Sequence, residues 1–297
     1  MKKLKYLAAF AAAFALAAFV LAGCSSGGSS SSASASASGS SASASSAAAS
    51  SSASASSAMT KLVVGFDAEY PPYGFKDAAG NPTGFDIDLA KAVADANGWE
   101  FEAKPIDWDS KDLELESGNI NCIWNGFTLE GREGKYAFSE PYMLNEQVIV
   151  VASGSSIKSL SDLAGKKVIT QAGSAALDLL SAEGDQADLG KTFDGGAVQT
   201  IADYNNAFMQ LESGAVDAVA CDLSIAQYQI SQTGDKYTQL SEPLTSEHYA
   251  VGFKLGDDAT AKTVTDSLKK LYADGTVKTL CDKYAEYGLS FDNWILK

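Results

Sequence analysis

The chain has 297 residues, 46% hydrophobic and 20% charged, with a formal net charge of −15. That length supports one large or two modest cores. The acidic balance argues against nucleic acid, whose phosphates need clustered cations, and makes an anionic lipid surface a poor direct partner. One histidine and four cysteines, with no C-x-x-C or metal-ligand spacing, leave the usual triads and zinc sites little to draw on. No cofactor or metal is expected.

The first 23 residues have the layout of an export signal. Met1-Lys2-Lys3-Leu4-Lys5 is basic, Leu7 to Val20 is apolar, and Leu21-Ala22-Gly23-Cys24 closes the segment. The run is too short and wrongly flanked for an ordinary transmembrane helix. Leu-Ala-Gly-Cys resembles the bacterial lipobox, which implies cleavage before Cys24 and a lipid such as palmitate on its thiol. A buried structural role for Cys24 is the weaker reading, since nothing around it would bury it. Ser25 to Ala58 contains only Ser, Ala and Gly, so it has nothing with which to build a core and reads as a tether spanning roughly 30 Å. Residues 24–58 would thus leash the folded part to the extracytoplasmic face of the cell membrane. Without the three leader lysines the charge is −18.

From Met59 onward, strand-like and helix-like runs alternate. Lys61 to Phe66 reads as a buried strand. A stretch rich in Pro and Gly follows, then a helix over Asp86 to Asn97 with Leu89, Val93 and Ala96 on one face and Gly98 as its stop. Asp86 and Asp88 begin that helix. Glu100 to Ile106 is the next strand. The alternation predicts an α/β fold with parallel sheets and crossover helices. An internal echo sharpens this: Leu115-Glu-Ser-Gly-Asn-Ile-Asn-Cys-Ile123 matches Leu211-Glu-Ser-Gly-Ala-Val-Asp-Ala-Val219. Each reads as a helix end, a glycine cap and a short buried strand. Gly190-Lys191-Thr192 looks like the end of a P-loop, but Gly184 stands one residue too far upstream and Asp185 and Asp188 fall between, so that reading is rejected.

Arg132 is the single arginine beside 21 lysines. A guanidinium holds a carboxylate by two parallel hydrogen bonds, which an ammonium does poorly. In open α/β sheets ligand groups gather past the carboxyl ends of strands. Past the first echo strand come Asn125, Gly126, Thr128 and Arg132; past the second comes Asp222. One half supplies a fork for an anion and the other a carboxylate for a cation, which would suit a free amino acid held between them.

Gly65-Phe-Asp-Ala-Glu-Tyr-Pro-Pro-Tyr73, Gly84-Phe-Asp-Ile-Asp-Leu-Ala90, Gly126-Phe-Thr with Arg132, and Phe138-Ser-Glu-Pro-Tyr142 resemble the bacterial extracellular solute-binding proteins of family 3, the polar amino acid receptors of ABC importers. The resemblance covers residues 59–297. It implies a two-lobed, hinge-bending fold of the periplasmic-binding-protein type II class, with lobe 1 at 59–147 plus 248–297 and lobe 2 at 148–247. It also implies a monomer that serves separate ABC permease subunits. Arg132 and Thr128 would hold the ligand carboxylate, aided by backbone groups at Asn125 and Gly126 and by the N–H groups of Gly173, Ser174 and Ala175. Asp222 would accept from the ammonium, Asp67 and Tyr70 would touch ammonium or side chain, and Trp108 would form an aromatic wall. The family usually has one more residue between the Gly-Phe-Thr glycine and the arginine.

Each assignment has a plainer rival. Asp222 and Ser174 are good helix N-caps, Asp67 suits a turn, and Tyr70 and Trp108 suit a core. Trp124, like Cys122 and Cys221, reads as packing. A prephenate- or arogenate-type cyclohexadienyl dehydratase on the same fold is the enzymatic alternative, with Glu69 or Glu130 as the acid, but no paired groups favour it. A sensor input module is a third reading.

Overall fold

Residues 59–297 are described by the structure, a computed structural model. The expectations for the signal segment, Cys24 and the tether concern residues outside it. Strand β1 (Lys61–Phe66) buries Leu62, Val64 and Phe66 completely, each such side chain contributing about 1.5–3 kcal/mol. The turn-rich stretch after it forms a small antiparallel sheet, β2 (Glu69–Tyr70), β3 (Gly74–Lys76) and β4 (Pro82–Thr83). Helix α1 (Phe85–Asn97) starts one residue before the expected position. Its buried face is Leu89, Ala90, Val93 and Ala94, whereas Ala96 is exposed. Gly98 ends it at φ 69°, and the Trp99 N–H returns to the Ala94 carbonyl at 2.9 Å, a closure that favours glycine.

The chain continues through β5 (Glu100–Pro105), α2 (Lys111–Glu116), β6 (Cys122–Ile123), β7 (Tyr136–Phe138), β8 (Met143–Ala152), β9 (Val168–Gln171), α3 (Ala175–Leu180), α4 (Ala187–Gly190) and β10 (Gln199–Ile201). It then forms α5 (Tyr204–Ser213), β11 (Ala218–Asp222), α6 (Leu223–Thr233), β12 (Tyr237–Gln239), β13 (Thr245–Tyr249), β14 (Gly252–Lys254), α7 (Asp258–Ala273) and α8 (Thr276–Lys283). The repeated motif takes the same shape twice. Gly118 (φ 77°) follows α2 and leads to β6, and Gly214 (φ 73°) follows α5 and leads to β11.

Two sheets carry the molecule. The first has the order β5-β1-β6-β14-β7, and the second runs β10-β9-β11-β8-β12 with β13 also paired to β8. Neither is wholly parallel as the alternation predicts. β1, β5 and β6 are parallel, as are β9, β10 and β11, but β14 opposes β6 and β7, and β8 opposes β11, β12 and β13. The antiparallel strands are those that carry the chain from one sheet to the other. It leaves the first sheet after β7, enters the second along β8, and returns along β13 directly into β14. β8 and β13 are themselves paired, from Met143↔Tyr249 to Gln147↔Thr245. Cys122, Cys221 and Cys281 are buried free thiols, and Trp124 is wholly buried, its ring 6.4 Å from that of Tyr142.

Asp86 does more than start α1. It is fully buried and accepts from the Tyr142 hydroxyl (2.8 Å) and the Gly126 N–H (2.7 Å). Burial pushes its carboxyl up to about 7. It thereby ties the helix start to the loop after β6 and to the segment entering β8. Tyr142→Phe removes a donor to a buried carboxyl and should lower unfolding free energy by about 1–3 kcal/mol in urea melts.

Candidate ligand-binding cleft

Where the two sheets meet, Tyr70, Trp108, Gly126, Thr128, Arg132, Gln171, Ser174, Ala175 and Asp222 line one cleft. Gln171 is the lining residue that sequence reasoning missed. Tyr70 and Trp108 are almost wholly buried; the Tyr70 hydroxyl meets that of Tyr249 at 3.2 Å, and the Trp108 ring stands edge-on to Phe127 at 5.9 Å.

Arg132 reaches the cleft despite the short loop. Its guanidinium lies 4.6 Å from the Phe127 ring centre and donates to the Thr128 carbonyl (3.1 Å) on one side. On the other side it meets the Gly173 carbonyl (3.4 Å) and the Asp178 carboxylate (3.2 Å). The side chain is 6% exposed while that of Asp178 is 61% exposed, so the acid partner can swing into water more cheaply than the fork. Lys111, a second buried cation that the sequence did not single out, donates to the same Gly173 carbonyl at 3.1 Å. Desolvation, and then the charge of Arg132, lower its pKa. Gly173 itself is therefore an acceptor for two cations and does not line the cleft. Its φ of 67° and the Lys111 Nζ standing 2.8 Å from any added Cβ reserve the position for glycine.

Ser174 is an N-cap, its Oγ accepting from the Leu177 N–H at 3.1 Å, and its own N–H turns back to the Gln171 carbonyl. The helix it caps spans Ala175–Leu180. Asp222 occupies the N-cap position of α6 but makes no side-chain cap bond. Its Oδ1 instead accepts from Asn145 (3.0 Å), Gln147 (2.7 Å) and the Tyr249 hydroxyl (2.9 Å), and burial raises its pKa. Its capping role is thus excluded by geometry, and a carboxylate is held in place at the cleft wall.

Other expected residues are engaged elsewhere. Asp67 stays outside the lining: its Oδ1 accepts from the Glu69 N–H (2.8 Å), as a turn residue would, and its Oδ2 from Gln171 (2.5 Å). Burial raises its pKa. Asn125 is also outside the lining, buried with its side-chain amide unpaired. The Gly126 N–H is committed to Asp86 and the Thr128 hydroxyl to Glu247 (3.0 Å), so neither donor points at the cleft as expected. Glu69 bonds Asn205, and Glu130 holds His248 Nδ1 at 2.6 Å. Among the described residues, no group of three or more His, Cys, Asp or Glu side chains could hold a metal ion.

Asn145, Gln147 and Glu247 were missed. They stand on the crossing strands β8 and β13, all nearly inaccessible. The available signal was parity: Asn145 and Gln147 alternate in phase with the buried Met143, and Glu247 with the buried Tyr249. Polar groups on a buried strand face need partners, so such a phase marks a built network.

A model of the bacterial extracellular solute-binding proteins, family 3, matches residues 62–287. The L-cystine-binding protein TcyJ of Escherichia coli (strain K12) is 29% identical over 226 residues, 75% of this chain and 82% of that protein. The ABC transporter glutamine-binding protein GlnH of Bacillus subtilis (strain 168) is 31% identical over 230 residues, 75% and 81% respectively. Among solved structures, an ABC uptake transporter substrate binding protein from Streptococcus pneumoniae with bound histidine superposes with a TM-score of 0.72 at 33% identity, covering 76% of this chain and 92% of that one.

Gly126 has φ 58°, and an added Cβ would stand 2.9 Å from the Tyr70 ring and 3.1 Å from the Tyr249 ring. Gly126→Ala should therefore lower stability by about 1–3 kcal/mol in thermal melts, through left-handed strain and displaced rings.

Proposed function

The chain belongs to the bacterial extracellular solute-binding proteins of family 3, and from that premise we propose that it captures one polar amino acid in the cleft and delivers it to an ABC importer. The observation that carries this is the placement of opposite poles. Arg132, from the first sheet, and Asp222, from the end of β11 in the second, line the same cleft. An α-carboxylate would replace Asp178 on the guanidinium, and an α-ammonium would meet the free edge of the Asp222 carboxylate. Tyr70 and Trp108 would cover the ligand side chain, and Ser174 and Ala175 would border its carboxylate.

Residues 59–147 with 248–297 would move as one lobe and 148–247 as the other, with the paired β8 and β13 as the hinge. Closure removes water, and both ionic contacts strengthen as the local dielectric falls. Such a receptor binds and releases without chemistry; the two acids available to a dehydratase reading, Glu69 and Glu130, are held by Asn205 and His248. The receptor would work as a monomer, held at the extracytoplasmic face of the cell membrane by a lipid on Cys24 and reaching permease subunits across the 24–58 tether.

A thermal-shift screen of the common amino acids with L-cystine tests the reading; a ligand at 100 times its Kd adds about 2.7 kcal/mol of stability. With a ligand found, Arg132→Lys should lose about 2–5 kcal/mol of binding free energy by titration calorimetry while its circular dichroism stays unchanged. Wild-type affinity in that variant would remove the carboxylate assignment.

A further inference from the structure

Behind the cleft wall two carboxylates share one set of donors. Asn145 Nδ2 donates to Asp222 Oδ1 (3.0 Å) and to Glu247 Oε1 (2.7 Å). Gln147 Nε2 donates to the same two oxygens, at 2.7 and 2.8 Å. The Thr128 hydroxyl completes Glu247 Oε1, and the Tyr249 hydroxyl completes Asp222 Oδ1. One oxygen of each acid is thus saturated. The other oxygen of Asp222 meets the Tyr204 hydroxyl at 3.5 Å, and the Tyr70 phenol also reaches the carboxylate. The other oxygen of Glu247 has no hydrogen-bond partner among the described residues, and Glu247 borders a second cavity, beside Thr128, Glu130, Lys135 and Asp178.

Among the described residues no lysine or arginine forms an ion pair with either acid. Two carboxylates that share amide donors in a desolvated site do not both ionise cheaply. Burial, and then the charge of Asp222, push Glu247 up to about 8. The other groups packed on the pair leave it without a counter-charge. The phenols of Tyr70 on β2, Tyr204 on α5 and Tyr249 on β13, and the thiol of Cys221 on β11, are all pushed well upward by burial and stay neutral. The second cavity is also lined by Lys135, Glu130, Asp178, Glu183 and Asp185, one cation among four acids besides Glu247. His248, next to Glu247 in the strand, is turned to the opposite face and onto Glu130.

We propose that Glu247 is a positioning residue of the ammonium site. It holds a proton while Asp222 lacks a cation and yields that proton when an ammonium arrives at Asp222, so that capture of an amino acid releases a proton. The proposal rests on the amino-acid reading above. No bond other than O–H is broken. The proton leaves Glu247 for water, and the incoming ammonium supplies the positive charge that lets both acids ionise. Asn145 and Gln147, which grip both acids, carry the coupling.

The test is titration calorimetry of the wild-type protein with whichever amino acid the thermal screen identifies, run at pH 7 in phosphate and in Tris. The two buffers differ in ionisation heat, so their difference counts protons. The expected result is a net release approaching one proton, with the association constant rising up to about tenfold per pH unit between pH 6 and 8 and flattening above 8. Glu247→Gln should bind with no proton release and a flat profile, whereas His248→Gln should keep the wild-type count. A merely structural Glu247 would give a wild type that releases no proton, and that result overturns the proposal, as does loss of the release in His248→Gln. The wild-type count stands even if Glu247→Gln fails to fold. Binding without proton release sinks this inference alone; no binding of any amino acid sinks the amino-acid reading and this inference with it.

Discussion

The centre of the molecule is arranged around a carboxylate that, among the described residues, has no cation of its own. Asp222 ends β11 with its side chain out of water, and an ionised acid there would be costly without donors. Two amides from β8 and a phenol from β13 supply them. Those two strands also carry the chain between the sheets. The demand for hydrogen bonds around one acid therefore fixes which residues stand at the crossing, and it brings Glu247 in beside them.

The anion-holding side is built differently. Arg132 rests on the Phe127 ring and is held by carbonyls from both sheets, with Lys111 close behind. Its acid partner among the described residues, Asp178, is largely exposed. A buried fork with a displaceable acid is a site that can exchange one carboxylate for another. The fork is oriented before exchange, so little side-chain entropy is lost when the new acid arrives. The loop that presents it is fixed in turn by Asp86, through the Gly126 N–H.

Much of the fold was legible in local chemistry. Gly98, Gly118 and Gly214 mark helix ends because each adopts a left-handed conformation that other residues avoid. The doubled Leu-Glu-Ser-Gly motif located the central strands β6 and β11 because a repeated helix-to-strand unit needs the same cap twice. The direction of β8, β13 and β14 was not legible, since periodicity reports which face of a strand is buried and says nothing of which neighbour it finds. In the cleft, residues whose chemistry is unusual for their surroundings, such as the lone arginine, stood out. Thr128 and Gly126 line the cleft and Asp67 stands outside it, while their donors and acceptors go to Glu247, Asp86 and Gln171, partners distant in sequence that no local pattern names.

The order of strands in the first sheet bears on how the chain acquires its shape. β14, built from Gly252–Lys254, lies between β6 and β7. Every strand of the second sheet comes from one uninterrupted stretch, Met143 to Tyr249. A polypeptide emerging N-terminus first can therefore assemble its second sheet while the first still has a slot in its middle. That slot is filled only by a segment made after the whole of the second sheet. β7 cannot join its sheet until then, so the half that carries Arg132 is the last to be completed.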